Sequence, residues 1–139
     1  MYVTNCIAMI NEISLGYTYY STAKTLYNAM FLNGTLINME TWTNFNEKRI
    51  KVFEKIEQHF LRKILNAHSK TAIESLYLEL GIIPFRFHLY KRRILYYQFI
   101  MKRNEMELTK QIVNAQKLNQ IHGDFYSQVV QNMDDLNMI

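Results

Sequence analysis

The sequence predicts an all-α fold, an irregular bundle of about five or six helices, on three observations. Only four glycines and one proline occur in 139 residues, too few for the many turns of an all-β chain. Apolar residues recur at helical spacing through most of the chain. Finally, 49% of residues are hydrophobic and 14% aromatic, a composition that folds rather than staying disordered. The length suits one domain, residues 1–139.

The first helical segment is expected from about Asn5 to Phe31, through Ile10, Ile13, Leu15, Ala23, Leu26 and Met30, with an interruption at Gly16. Asn33-Gly34 is expected to close it, so Asn33-Gly34-Thr35 reads as a turn and not as a glycosylation site. Leu36 to Trp42 is a short connector, irregular or helical. A second helix follows a capping box, Asn44 with Glu47, and carries the apolar stripe Ile50, Phe53, Ile56, Phe60, Leu61, Ile64 and Leu65. A third begins at a second box, Thr71 with Glu74, and stops at Gly81, placed for a left-handed residue just past a helix end. Pro84 suits the first turn of a fourth helix reaching about Arg103. Two more are expected, from about Leu108 to Leu118 and from Phe125 to Leu136, the latter capped by Asp124 after a break at Gly123.

Net charge is +4, and its distribution says more than its sum. Residues 46–66 hold six bases against three acids, whereas residues 84–103 hold Arg86, Lys91, Arg92, Arg93, Lys102 and Arg103 and no acid. Clustered cations attract polyanions, nucleic acid first and a membrane surface next. At about 100° per residue, Arg86 and Arg93 share one face of the fourth helix, and Lys91 and Lys102 another. Two readings of that helix stay open: phosphate contacts that do not read bases, or basic side chains snorkelling around a buried helix. On the second helix Glu47, Glu54 and Glu57 offset half the charge, which fits a solvated, salt-laced face as well as a binding face.

Tyr90, Tyr96 and Tyr97 lie among the bases, where they could stack on nucleotides, although aromatics at helical spacing are more often core. His59, His68, His88 and His122 show no metal-binding spacing, and Cys6 is the only cysteine, so no metal site, cofactor or internal disulfide is expected. Asn132-Met133-Asp134-Asp135 imitates the aromatic-x-Asp-Asp turn of reverse transcriptases, but it has Asn132 for the aromatic and no strand pattern around it. There is no phosphate loop and no catalytic serine or paired-carboxylate motif, so neither catalysis nor a small-molecule substrate is expected. The start has no leader pattern and no apolar run approaches a membrane span, which suggests an intracellular setting, nucleus or cytoplasm, and no membrane partner.

Several stretches in order resemble a known family. They are Leu32-Asn33-Gly34-Thr35-Leu36-Ile37-Asn38-Met39-Glu40-Thr41-Trp42, Leu61-Arg62-Lys63-Ile64-Leu65, Leu76-Tyr77-Leu78-Glu79-Leu80-Gly81-Ile82-Ile83-Pro84-Phe85-Arg86 with Lys91-Arg92-Arg93-Ile94-Leu95-Tyr96-Tyr97, and Gly123-Asp124-Phe125. Together they resemble the region following the polymerase domain in non-LTR (LINE-type) retrotransposon reverse transcriptases, from about Leu15 to Ile139. Phe125 stands where that family has tryptophan. The resemblance implies a thumb-like helical region embracing a primer-template duplex, in which Arg86, Arg92 and Arg93 fall within the motif. It also implies RNA-directed DNA synthesis by fingers and palm that this chain lacks, so the remaining polymerase domains are expected partners. Two alternatives stay beside it: a helical module that docks on another protein, and a truncated relic of a retroelement without selected function.

Overall fold

The computed structural model describes residues 17–42 and 46–138. Among the described residues the fold is all-α, as the sequence predicts, with six helices and no strand. Helix α1 runs as α-helix over Tyr17–Leu26, widens to π-helix over Tyr27–Leu32 and returns to α-helix over Asn33–Leu36. A 3-10 turn, Met39–Thr41, precedes α2 (Glu47–Ile64), α3 (Ile73–Leu80), α4 (Phe85–Met101), α5 (Leu108–Asn119) and α6 (Phe125–Asp135). None of these helices is long and apolar enough to cross a membrane.

The described chain gathers into two compact units, one of residues 17–37 and 47–85, the other of residues 38–42, 46 and 86–138. The boundary falls inside the first turn of α4, so no linker-like composition marks it.

In the first unit, α1 does not stop at Asn33-Gly34. Asn33 keeps helical angles (φ −66°, ψ −38°) and its amide reaches Asn28 O, five residues back, while Thr35 Oγ1 donates to Phe31 O at 2.7 Å. A mid-helix glycine costs about 1 kcal/mol against alanine, whereas burying a leucine contributes about 1.5–3 kcal/mol. Continuing the helix buries Leu36, so burial outweighs the local turn preference. The helix ends instead before Asn38, which takes the left-handed conformation (φ 57°). The interruption expected at Gly16 and the cap expected at Asn44 lie outside the described residues.

Ile50, Phe60, Leu61 and Ile64 of α2 are buried as expected, and Phe53 and Leu65 are half-buried. Ile56 is not part of the core: it remains 36% exposed, and Glu57 occupies the inward position beside it. Helical geometry explains the exchange, since Ile56 lies about 90° round from the mean direction of the buried residues and Glu57 within about 10°. The α1–α2 contact is aromatic, Tyr27 with Phe60 at 5.7 Å and Phe31 with Phe60 at 6.0 Å between ring centres.

The capping box expected at Thr71 does not form. Ala72 precedes α3 without a side-chain cap, because Arg62 Nη1 donates to the carbonyls of His68 (3.0 Å) and Thr71 (2.8 Å) and draws Thr71 into the loop. Gly81 does end α3 as expected, at φ +58°, with Ile82 N–H bonded to Tyr77 O at 3.0 Å. Lys24 Nζ donates to Gly81 O at 3.1 Å, tying α1 to this stop.

Glu57 is fully buried and ties four segments together. Its Oε1 accepts from the Tyr27 hydroxyl of α1; its Oε2 accepts from the Tyr77 hydroxyl of α3 (2.7 Å) and from the Phe85 amide that opens α4 (3.1 Å). Burial pushes the Glu57 carboxyl above the ordinary carboxylate range, partly opposed by those three donors. Burial and the neighbouring carboxyl also push both tyrosine hydroxyls up, so they stay protonated and donate.

In the second unit Ile94, Ile100, Val113, Phe125 and Val129 form one cluster, flanked by Tyr96, Tyr97, Met101, Tyr126, Met133 and Leu136. Asp124 caps α6 as the sequence predicts: Ser127 N–H donates to Asp124 Oδ1 at 2.8 Å, and Gly123 N–H (φ +90° at Gly123) donates to Ser127 Oγ at 2.9 Å. The loop between α4 and α5 is held by the buried Lys110, whose Nζ reaches Arg103 O at 2.9 Å and Glu105 Oε1 at 2.5 Å.

A carboxyl whose folded pKa is raised binds its proton more tightly in the native state, so stability falls as pH rises through the window above its ordinary value. Urea unfolding at a series of pH values should show this fall in the wild type and lose it in Glu57→Gln. Glu57→Leu, which leaves buried donors without their acceptor, should cost on the order of 2–4 kcal/mol.

Candidate nucleic-acid interface

The six cations expected to meet nucleic acid, Arg86, Lys91, Arg92, Arg93, Lys102 and Arg103, sit on α4 and the turn after it, yet they do not form one surface. Helical rotation divides them. The buried residues Leu89, Arg93 and Ile100 fall within about 40° of one another round the axis, so Arg93 belongs to the inner face. Lys91 and Lys102 lie on the outer face with Leu95 and Phe99, at i, i+11, i+4 and i+8 from Lys91.

Arg93 is therefore a correction to the sequence reading. It is 1% exposed, with Nη1 donating to Asn132 Oδ1 of α6 at 3.4 Å and Nη2 to the Trp42 carbonyl at 3.3 Å. Burial pulls its guanidinium down to about 10, with Tyr90 acting the opposite way, and it remains charged at neutral pH. Enclosed in this way, it cannot reach a phosphate. Its function in the fold is to hold the 3-10 segment and α6 against α4.

Three more arginines are partly engaged. Arg86 is half-buried. Arg92 lies 3.9 Å from Glu40 Oε2, too far for a hydrogen bond, and keeps 38% of its side chain exposed. Arg103 pairs with Glu107 Oε2 at 3.0 Å and places its guanidinium 4.4 Å from the centre of the Phe99 ring. Arg103 is accessible enough to exchange its exposed partner Glu107 for a phosphate, whereas the Glu40 oxygen that faces Arg92 is buried.

Lys91 and Lys102 are exposed, and neither head group is paired among the described residues. Eleven residues apart, they stand about 16 Å from each other along the axis. This face is cationic at its ends and apolar between them, where Leu95 and Phe99 are each 52% exposed.

The tyrosines belong to the core. Tyr90 is 4% exposed, Tyr96 meets Phe125 edge-on at 5.8 Å, and Tyr97 lies 6.0 Å from Tyr126. Asn132, which stands where a reverse transcriptase turn has its aromatic residue, is buried on α6 and accepts from Arg93, while Asp134 and Asp135 are exposed at the end of that helix. No three His, Cys, Asp or Glu side chains among the described residues come together to hold a metal ion.

Sequence reasoning missed the acid that faces Arg103. Glu107 lies one helical turn beyond it and just outside the acid-free segment, so the i, i+4 spacing was available as a signal. It also counted Glu57 against the charge of α2, although the helical spacing of Glu57 from Ile50, Phe60, Leu61 and Ile64 already places it on the inward face.

Arg93→Ala should destabilise the protein by about 2–4 kcal/mol, since it empties buried volume and strands two acceptors. Lys91→Ala and Lys102→Ala should each stay within about 0.5 kcal/mol of wild type in the same urea series. Equal small effects at all three positions would contradict the inward placement of Arg93. Comparison with protein-family models, curated proteins and solved structures finds no match to this chain.

Proposed function

We propose that this chain is a thumb-like helical module of a non-LTR retrotransposon RNA-directed DNA polymerase, contacting a primer-template duplex and performing no catalysis alone. The observation that carries the proposal is the ordered set of motifs, above all Leu76 to Arg86 followed by Lys91 to Tyr97, with Gly123-Asp124-Phe125 downstream. The all-helical fold agrees with what that resemblance implies. Several motif residues have architectural tasks: Gly81 takes the left-handed helix stop, Asp124 caps α6, and Phe125 and Arg93 are buried. Duplex contact then falls to the accessible cations of the same region, Lys91 and Lys102 first, with Arg86, Arg92 and Arg103 beside them. The setting would be intracellular, and the polymerase domains that carry the chemistry would be its partners.

Contacts of lysine with phosphate release counterions and read no bases. Affinity for an RNA–DNA hybrid, followed by fluorescence anisotropy, should therefore fall steeply with salt. Lys91→Ala with Lys102→Ala should flatten the log–log slope by about 1–2. Absence of binding at low salt would overturn the proposal.

A second reading, a module that docks on another protein, is favoured by one feature, the half-exposed Leu95 and Phe99 on the outer face of α4. Under that reading the isolated chain self-associates. Sedimentation velocity separates the two, because a duplex-binding module stays monomeric without nucleic acid.

A further inference from the structure

We propose that the outer face of α2 is a second phosphate-tracking surface, one that follows a sugar-phosphate backbone through Lys48, Lys51 and Lys55. The proposal rests on the reading of this chain as a nucleic-acid binder and adds a site on the first compact unit. All three lysines are exposed, and none is paired among the described residues. At about 100° per residue they lie within about 60° of arc, pointing away from the buried Ile50, Glu57, Phe60, Leu61 and Ile64. Along the axis they climb in steps of about 4.5 and 6 Å, close enough for neighbouring phosphates of one strand to meet successive ammonium groups.

Two features set this face apart from an ordinary solvated one. A surface helix normally alternates charge along its exposed stripe, so that i, i+3 and i, i+4 neighbours attract. Here Lys48 and Lys51 are i, i+3 and Lys51 and Lys55 are i, i+4, so both neighbouring pairs repel. Moreover, the acids that balance this helix in the sequence do not share the stripe. Glu57 is enclosed by Tyr27, Tyr77 and Phe85; Glu47 and Glu54, at i−4 and i+3 from Lys51, flank the stripe on one side, about 40–60° round from that lysine, and neither forms an ion pair with it. A polyanion laid along the stripe would relieve that repulsion and release its own counterions.

The chemistry favours a nucleic-acid backbone over a lipid surface. An interfacial helix needs a broad apolar face to insert, and the apolar face of α2 is already buried. Val52, 55% exposed, borders the stripe without widening into an apolar face. Compact ammonium groups without an aromatic platform contact phosphates and do not select sequence.

The test uses the full chain and fluorescein-labelled hybrids of two unrelated sequences. Changing Lys48, Lys51 and Lys55 together to Gln should weaken binding to both by at least about tenfold and lower the salt slope by about 2–3. The triple change to Arg should bind like wild type. Each single Lys→Gln change, at an exposed position and to a good helix former, should lower the slope by about 1. Wild-type affinity in the triple Gln variant, alongside a loss in Lys91→Ala/Lys102→Ala, would overturn the α2 surface and leave the nucleic-acid reading standing. No binding by the wild-type chain would bring down that reading and this inference together. Equal loss of affinity in the triple Arg and triple Gln variants would also overturn it, because charge would not be the cause.

Discussion

Three donors from three different segments converge on one enclosed carboxyl, and much of the first unit follows from that convergence. The Tyr27 and Tyr77 hydroxyls and the Phe85 amide lie 30, 20 and 28 residues from Glu57 in sequence. To bring them together, α1 must cross α2, α3 must fold back beside it, and α4 must open within reach of the same oxygens. An unpaired carboxyl in such a place would be expensive. Fully hydrogen-bonded, it fixes which turn of each helix faces the others, a specificity that apolar packing alone supplies less sharply. The same burial keeps one carboxyl of α2 away from the lysines on its outer surface.

Arg93 is the counterpart in the second unit. A guanidinium shared between the Asn132 side chain and the Trp42 carbonyl joins α4, α6 and the segment after the 3-10 turn. In α2 and in α4 alike, a charged side chain turns inward while lysines stay on the outside of the same helix. Burial, more than charge density along the sequence, decides which cations can meet a polyanion. The acid-free stretch from Pro84 to Arg103 looked like one binding face; in the fold it is divided between a structural arginine and an accessible pair of lysines.

What could be read from sequence was the chemistry that acts within one helical turn. Gly81 as a left-handed stop and Asp124 as a cap were legible because their partners lie three to five residues away. The extents of α4, α5 and α6 were legible for the same reason. The failures share another cause. Asn33-Gly34 stays helical because burial of Leu36 outweighs a local turn preference, and Thr71 gives up its cap to an arginine nine residues upstream. Angular spacing correctly separated Arg86 and Arg93 from Lys91 and Lys102. Which of those faces points inward depends on Asn132 and Trp42, 39 and 51 residues from Arg93, and α4 is apolar on too many sides for its own period to decide.

The division between inward and outward cations can be observed directly by nuclear magnetic resonance, titrating the labelled chain with an RNA–DNA hybrid. The account predicts shifts concentrated on the amides and ammonium groups of Lys48, Lys51, Lys55, Lys91 and Lys102, with the Arg93 guanidinium resonance unmoved. Shifts centred on Arg93 and Asn132, with the α2 lysines silent, would contradict it.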